Sequence, residues 1–246
     1  MMKRIASRYP LIFVIVVGLL FVLCHYVWRF VLPDTADEVR AKFEKATTCA
    51  YSLCLLAGLN CWRAAGFAKR ISWRTVAPAL PMAVLPLLMA LFTPIRVSDS
   101  KRIALFALIA LMTGFAEEAV FRGVVVTTLL PKGTMRAVIF SSLWFGALHL
   151  VNLLAGADAL ATVLQIVIAA LYGFAATAIL LYTGSIWPLI AIHGLQDFMA
   201  FATTGSIAET ARPTASDVVE PIAIMALLAG YGVWLLWRCN WGRMKR

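Results

Sequence analysis

The sequence predicts an all-α, polytopic integral membrane protein of about eight transmembrane helices, and three observations predict it. Of its 246 residues, 62% are hydrophobic and only 14% are charged, against about 25% charged in ordinary soluble domains. The apolar residues gather into runs of ~18 or more, long enough to cross a hydrocarbon core of about 30 Å. The charges fall mainly between those runs.

The spans are read in order at 11–32, 46–62, 75–93, 103–130, 137–154, 159–182, 186–203 and 219–237. The opening MMKRIASRYP and the apolar run after it resemble a signal peptide. That run, Leu11 to Leu32, outlasts an h-region of about 7–15 residues, and no A-x-A site follows, so an uncleaved first helix is expected. The second span is short and contains Asn60, and the third carries Pro78, Pro81 and Pro86. Membrane helices tolerate such prolines where neighbours satisfy the freed carbonyls. The very short connection Thr183–Ser185 predicts tight packing before the seventh span.

Charge sets the expected orientation, with both termini cytoplasmic. That side then holds thirteen basic residues and no acidic one: Lys3, Arg4, Arg8, Arg63, Lys69, Arg70, Arg74, Lys132, Arg136, Arg238, Arg243, Lys245 and Arg246. The other side holds eight basic residues and nine acidic ones (Asp34, Asp37, Glu38, Glu44, Asp99, Asp158, Glu209, Asp217 and Glu220). Lysine and arginine alone decide such a comparison. The net charge of +10 is thereby assigned to topology, and nucleic-acid binding is not expected, because no basic helix face interleaved with aromatics is present. The five cysteines form no CxxC pair and no zinc-finger spacing, and are read as small core residues without disulfides. No repeat or soluble domain is visible, so residues 1–246 are read as one transmembrane domain whose catalytic core spans about 103–203.

Once the loop charges are set aside, six ionisable residues remain inside the spans: Glu117, Glu118, Arg122, His149, His193 and Asp197. Each costs at least ~2.5–3.5 kcal/mol to insert, so such residues are functional by default. Glu118 and Arg122 are four residues apart with the acid first, the favourable order for a pair on one helix face. Glu117 is turned about 100° from Glu118, and its own i+4 neighbour is Phe121, so its partner must come from another helix. His149 and His193 are the candidates, and Asp197 lies one turn after His193, placed to orient the imidazole. The third histidine, His25, is read as interfacial. Counting ~1.5 Å per residue from the helix ends puts Glu117 about 20 Å deep, His149 about 18 Å and His193 about 10 Å, which permits them to converge.

These residues resemble the CAAX-processing proteases and their bacteriocin-processing and immunity relatives (the CPBP, or Abi, family). That family carries EExxxR, FxxxH and HxxxN or HxxxD on separate membrane helices. Here the motifs are Glu117-Glu118-Ala119-Val120-Phe121-Arg122, Phe145-Gly146-Ala147-Leu148-His149 and His193-Gly194-Leu195-Gln196-Asp197, in the family's order. The resemblance implies an eight-helix, glutamate-dependent intramembrane endopeptidase, a hydrolase without a cofactor. It implies Glu117 as general base, with His149 polarising the attacking water, and Glu118–Arg122 as a structural pair. His193 and residue 197 would stabilise the oxyanion. An ionised Asp197 cannot donate as an asparagine can, so it is expected to accept a hydrogen bond from His193 and leave the other ring nitrogen as donor. The implied partner is a membrane-embedded or membrane-anchored peptide or protein tail. A short, Ala-rich chain points to a bacterial inner membrane.

Two other readings use the same residues. Glu117, His149, His193 and Asp197 are potential zinc ligands with a metal-bound water as nucleophile, although no HExxH helix is present. A proton-coupled transporter also uses Glu/His/Asp chains, but neither repeated halves nor a motif set of this kind belongs to that reading. A non-enzymatic scaffold of the same fold would be favoured by loss of a motif residue, and none is lost.

Overall fold

The computed structural model describes residues 1–207 and 216–244. Of the charges counted above, Glu209, Arg212, Lys245 and Arg246 lie outside the described residues. Among the described residues the chain is all helix, with no strand. A short helix α1 (Met2–Arg8) precedes α2 (Pro10–Val31) and α3 (Asp37–Leu59). Then follow α4 (Trp73–Phe92), α5 (Ser100–Lys132), α6 (Thr134–Leu154), α7 (Ala159–Thr183), α8 (Trp187–Thr204) and α9 (Ser216–Met244).

Each span read from the sequence falls on one of α2–α9. Six of these helices are long and apolar enough to cross a membrane: α2, α4, α5, α6, α7 and the Pro221–Cys239 part of α9. The two that fall short do so for physical reasons. Helix α3 starts nine residues before the expected 46, and those nine residues carry Asp37, Glu38, Arg40, Lys42, Glu44 and Lys45. Helix α8 loses hydropathy to His193, Gln196 and Asp197 themselves.

Local sequence explains the breaks. Tyr9 leaves helical geometry and Pro10 opens α2, where its missing N–H is not needed. Asn60 does not sit within the second span as expected; it ends α3 in the left-handed conformation at φ 46°, which asparagine tolerates, and its N–H caps Leu56 and Ala57 carbonyls. The prolines of α4 tighten Ala77–Ala83 into a 3₁₀ segment between two α-helical turns. The carboxylates of Asp99 and Asp158 accept backbone N–H bonds at the starts of α5 and α7. None of the five cysteines is in a disulfide.

Two glycine contacts draw the motif-bearing helices together. A Cβ on Gly114 would lie 2.8 Å from Gly194 N and 2.9 Å from Ile190 O, so α5 and α8 cross with their backbones almost touching. Small residues permit this approach in membranes. Gly114 is one turn before Glu117 and Gly194 follows His193 directly, so this crossing sets the two motifs side by side. A Cβ on Gly146 would meet Ile166 O at 2.6 Å, which holds α6 equally close to α7. Thr183 and Ser185, in the connection to α8, are buried as its shortness predicts.

Candidate active site

The EExxxR motif does not lie on an ordinary α-helix. Helix α5 is α-helical through Glu117, then widens to π-helix over Glu118–Val125. Such π-helical stretches are rare and concentrate at functional sites. Glu118 and Arg122 are both fully buried here, and Arg122 Nε lies 3.3 Å from Glu118 Oε2. The arginine is also clamped by aromatics: its guanidinium carbon is 4.2 Å from the Phe145 ring centroid and 5.4 Å from that of Tyr172. Phe145, the first residue of FxxxH, thus serves the first motif by covering its cation.

Glu118 does more than pair with Arg122. Its Oε1 accepts a hydrogen bond from His193 Nδ1 at 2.8 Å, so one carboxylate joins the arginine of α5 to the histidine of α8. The other ring nitrogen, Nε2, lies 3.6 Å from Glu117 Oε2 and 3.8 Å from Asp197 Oδ2. Both separations exceed a direct hydrogen bond. This corrects the expected arrangement: Glu118, not Asp197, is the carboxylate that holds the His193 ring. The i+4 spacing of His193 and Asp197 does put them on one face, but the buried carboxylate of α5 reaches Nδ1 first.

His149 closes α6 where the helix tightens into a 3₁₀ segment. Its Nδ1 donates to Phe145 O at 3.0 Å, which leaves Nε2 with a lone pair when the ring is neutral. Its ring stands edge-on to Phe145 at 5.2 Å. Phe145 therefore touches Arg122, His149 and His193 together.

Glu117, His149, His193 and Asp197 all line one cavity of about 740 Å³. The expected convergence is thereby seen at the level of a shared wall. Glu117 keeps 19% of its side chain exposed and Asp197 24%, whereas Glu118 has none. The cavity is thus lined by two partly accessible carboxylates, with a third sealed behind them. Among the described residues, no group of three or more His, Cys, Asp and Glu side chains is arranged to hold a metal ion.

Sequence reasoning missed the outer part of this cavity. His25, expected at the interface, lines it, with Nε2 3.8 Å from Glu44 Oε2. Glu44, assigned to a loop, is buried on α3 with Arg40 Nε 3.6 Å away. Tyr26 donates to Asn152, whose amide donates to Gln165 at 2.7 Å, and all three face the same space. Only the position of Glu44 and Arg40 one turn apart hinted at a helix there. Tyr172 also went unread, since a tyrosine in an apolar run carries no signal.

Residues 99–199 match the family model described as Type II CAAX prenyl endopeptidase Rce1-like. The matched stretch holds all three motifs and begins at the residue that caps α5. Comparisons with curated proteins and with solved structures give no match.

Proposed function

We propose that this chain is an intramembrane endopeptidase that activates water with Glu117 and cleaves membrane-associated peptide or protein tails. The observation that carries the reading is the pairing of an accessible carboxylate, Glu117, with His193 at 3.6 Å inside a cavity lined also by His149. The Rce1-like match over the same residues supports a protease of the CAAX type.

In this reading the water sits between Glu117 and His149. The carboxylate and the Nε2 lone pair of His149 both accept its hydrogens, which turns its oxygen lone pair toward the substrate carbonyl. As the oxygen attacks, its proton passes to Glu117 and the carbonyl oxygen gains charge. The C–N bond then breaks and Glu117 returns the proton to the leaving amine, so the base is regenerated. Arg122 and Glu118 hold the His193 ring against the developing charge. No part of this sequence calls for a cofactor.

The substrate class we favour is a tail anchored beside the cavity by lipid or by its own helix, in the bacterial inner membrane. The test is mass spectrometry of a panel of farnesylated CAAX peptides and unprenylated membrane-tail peptides incubated with the purified full chain, with and without a zinc chelator. Cleavage that survives chelation is expected. Cleavage abolished by chelator and restored by zinc would replace this mechanism with a metalloprotease of the same fold.

A further inference from the structure

Hydrogen bonds fix which helix ends of the bundle lie together. Tyr26, near the end of α2, donates to Asn152, near the end of α6. Arg102, in the first turn of α5, donates to Glu38 at the start of α3 at 2.8 Å and to the Gly205 carbonyl just past α8 at 3.2 Å. At the other end, Trp187 Nε1, opening α8, donates to the Phe67 carbonyl in the α3–α4 connection at 3.1 Å. Both chain termini approach this second end. Met2 of α1 packs against Gly58 near the end of α3, and Cys239 of α9 lies 3.9 Å from the Leu181 carbonyl near the end of α7.

The cavity reaches only the first end. Its lining includes Arg29, Asp37 and Gly156, all exposed, and Ile207 beyond α8. No described residue of 1–20, 46–108, 122–144 or 173–192 lines it, and these stretches include every connection at the second end. The mouth therefore lies opposite the termini. Helix α8 ends there at Thr204, so at ~1.5 Å per residue Asp197 lies ~10 Å and His193 ~16 Å below the mouth. Polar side chains (Arg29, Lys45, Asn152, Asp158 and Gln165) line the outer part, and Phe21, Phe121 and Phe145 the inner part. Charge decides which end stays cytoplasmic, because lysine and arginine mark that side. Lys3, Arg4, Arg8, Arg63, Lys69 and Arg70 gather around α1 and the α3–α4 connection, with no acidic residue among them. The mouth end carries fewer basic residues, and two of these, Arg40 and Arg102, are paired with Asp37 and Glu38.

We infer that the active site opens to the non-cytoplasmic face of the membrane and takes outward-facing tails. The inference rests on the protease reading above and names its substrate class. Such a substrate is an exported polypeptide, held to the outer leaflet by lipid or by its own helix. Its polar segment lies in the hydrated mouth, and its scissile bond descends to the level of His193 and Glu117.

The test uses membrane vesicles of fixed sidedness from bacteria expressing the full chain. The probe is the panel peptide that purified wild type cleaves fastest, extended with a charged segment that keeps it from crossing the bilayer. Right-side-out vesicles should cleave it, and intact inverted vesicles should not until detergent opens them. Vesicles carrying Glu117→Gln set the background. A second readout does not depend on activity. Asp34→Cys, exposed beside the mouth, should react with a membrane-impermeant maleimide in right-side-out vesicles above the wild-type background. Arg70→Cys, exposed at the other end, should react only in inverted ones. The reverse labelling, or cleavage by intact inverted vesicles at the right-side-out rate or above, would overturn the outward mouth and leave the protease reading standing. Failure of purified wild type to cleave any panel peptide would overturn the protease reading, and this inference with it.

Discussion

Two polar clusters stand beside one cavity, His193 reaching it from the inner one and His25 and Glu44 from the outer, and they are built on different plans. The inner one, Arg122–Glu118–His193, is sealed: Glu118 and Arg122 expose nothing, and two aromatic rings flank the arginine. The outer one, Arg40–Glu44–His25, stands near helix ends, with His25 24% exposed and its contacts at 3.6–3.8 Å. Burial raises the cost of losing a partner, so the inner cluster has the most to lose, while in the outer one His25 keeps part of its side chain exposed beside a buried Glu44. The contrast teaches which charges in this bundle hold the fold rigid and which remain adjustable.

The sharpest way to break that contrast is Arg122→Ala. It strands a buried carboxylate and should cost about 3–5 kcal/mol, read as a large fall in Tm and folded yield in detergent. An unchanged Tm would show that the inner cluster is not the anchor described here. The double variant Arg122→Met with Glu118→Gln removes both charges, and replacing a whole buried pair is often neutral for stability. It should recover Tm but not cleavage, because His193 loses the carboxylate that holds Nδ1. Recovery of both would reduce Glu118 to a structural partner alone.

Gly114→Val should cost about 1–3 kcal/mol by overpacking the α5–α8 crossing and should reduce cleavage by moving Glu117 away from His193. Normal cleavage there would mean the crossing does not position the site. The smallest effect belongs to the outer cluster. Glu44→Gln should change stability by about 1 kcal/mol and cleavage by less than about tenfold. A loss as large as that of Arg122→Ala would erase the distinction between the clusters.

The inner cluster was legible in the sequence because its residues interrupt apolar runs. Glu117, Glu118 and Arg122 stand in a run with no other charge, and His193 and Asp197 stand in another. The outer cluster was not, because Arg40, Glu44 and Lys45 look like an ordinary charged loop until Asp37 opens α3 early. Periodicity placed Glu118 beside Arg122, but could not show that the same carboxylate reaches His193. That contact depends on the Gly114–Gly194 crossing and on the π-helical turn after Glu117, neither of which a hydrophobic pattern encodes. Tyr172 shows the same limit, since it matters through the Arg122 guanidinium beside it rather than through its spacing.

The central claim is that Glu117, the accessible carboxylate, moves the proton, while Glu118, the sealed one, holds the histidine. Glu117→Gln tests it most directly, since it keeps the shape and removes the base. With the peptide that wild type cleaves, this variant should fold with an unchanged Tm and show no measurable turnover. Turnover near the wild-type rate from a folded Glu117→Gln protein would contradict the account.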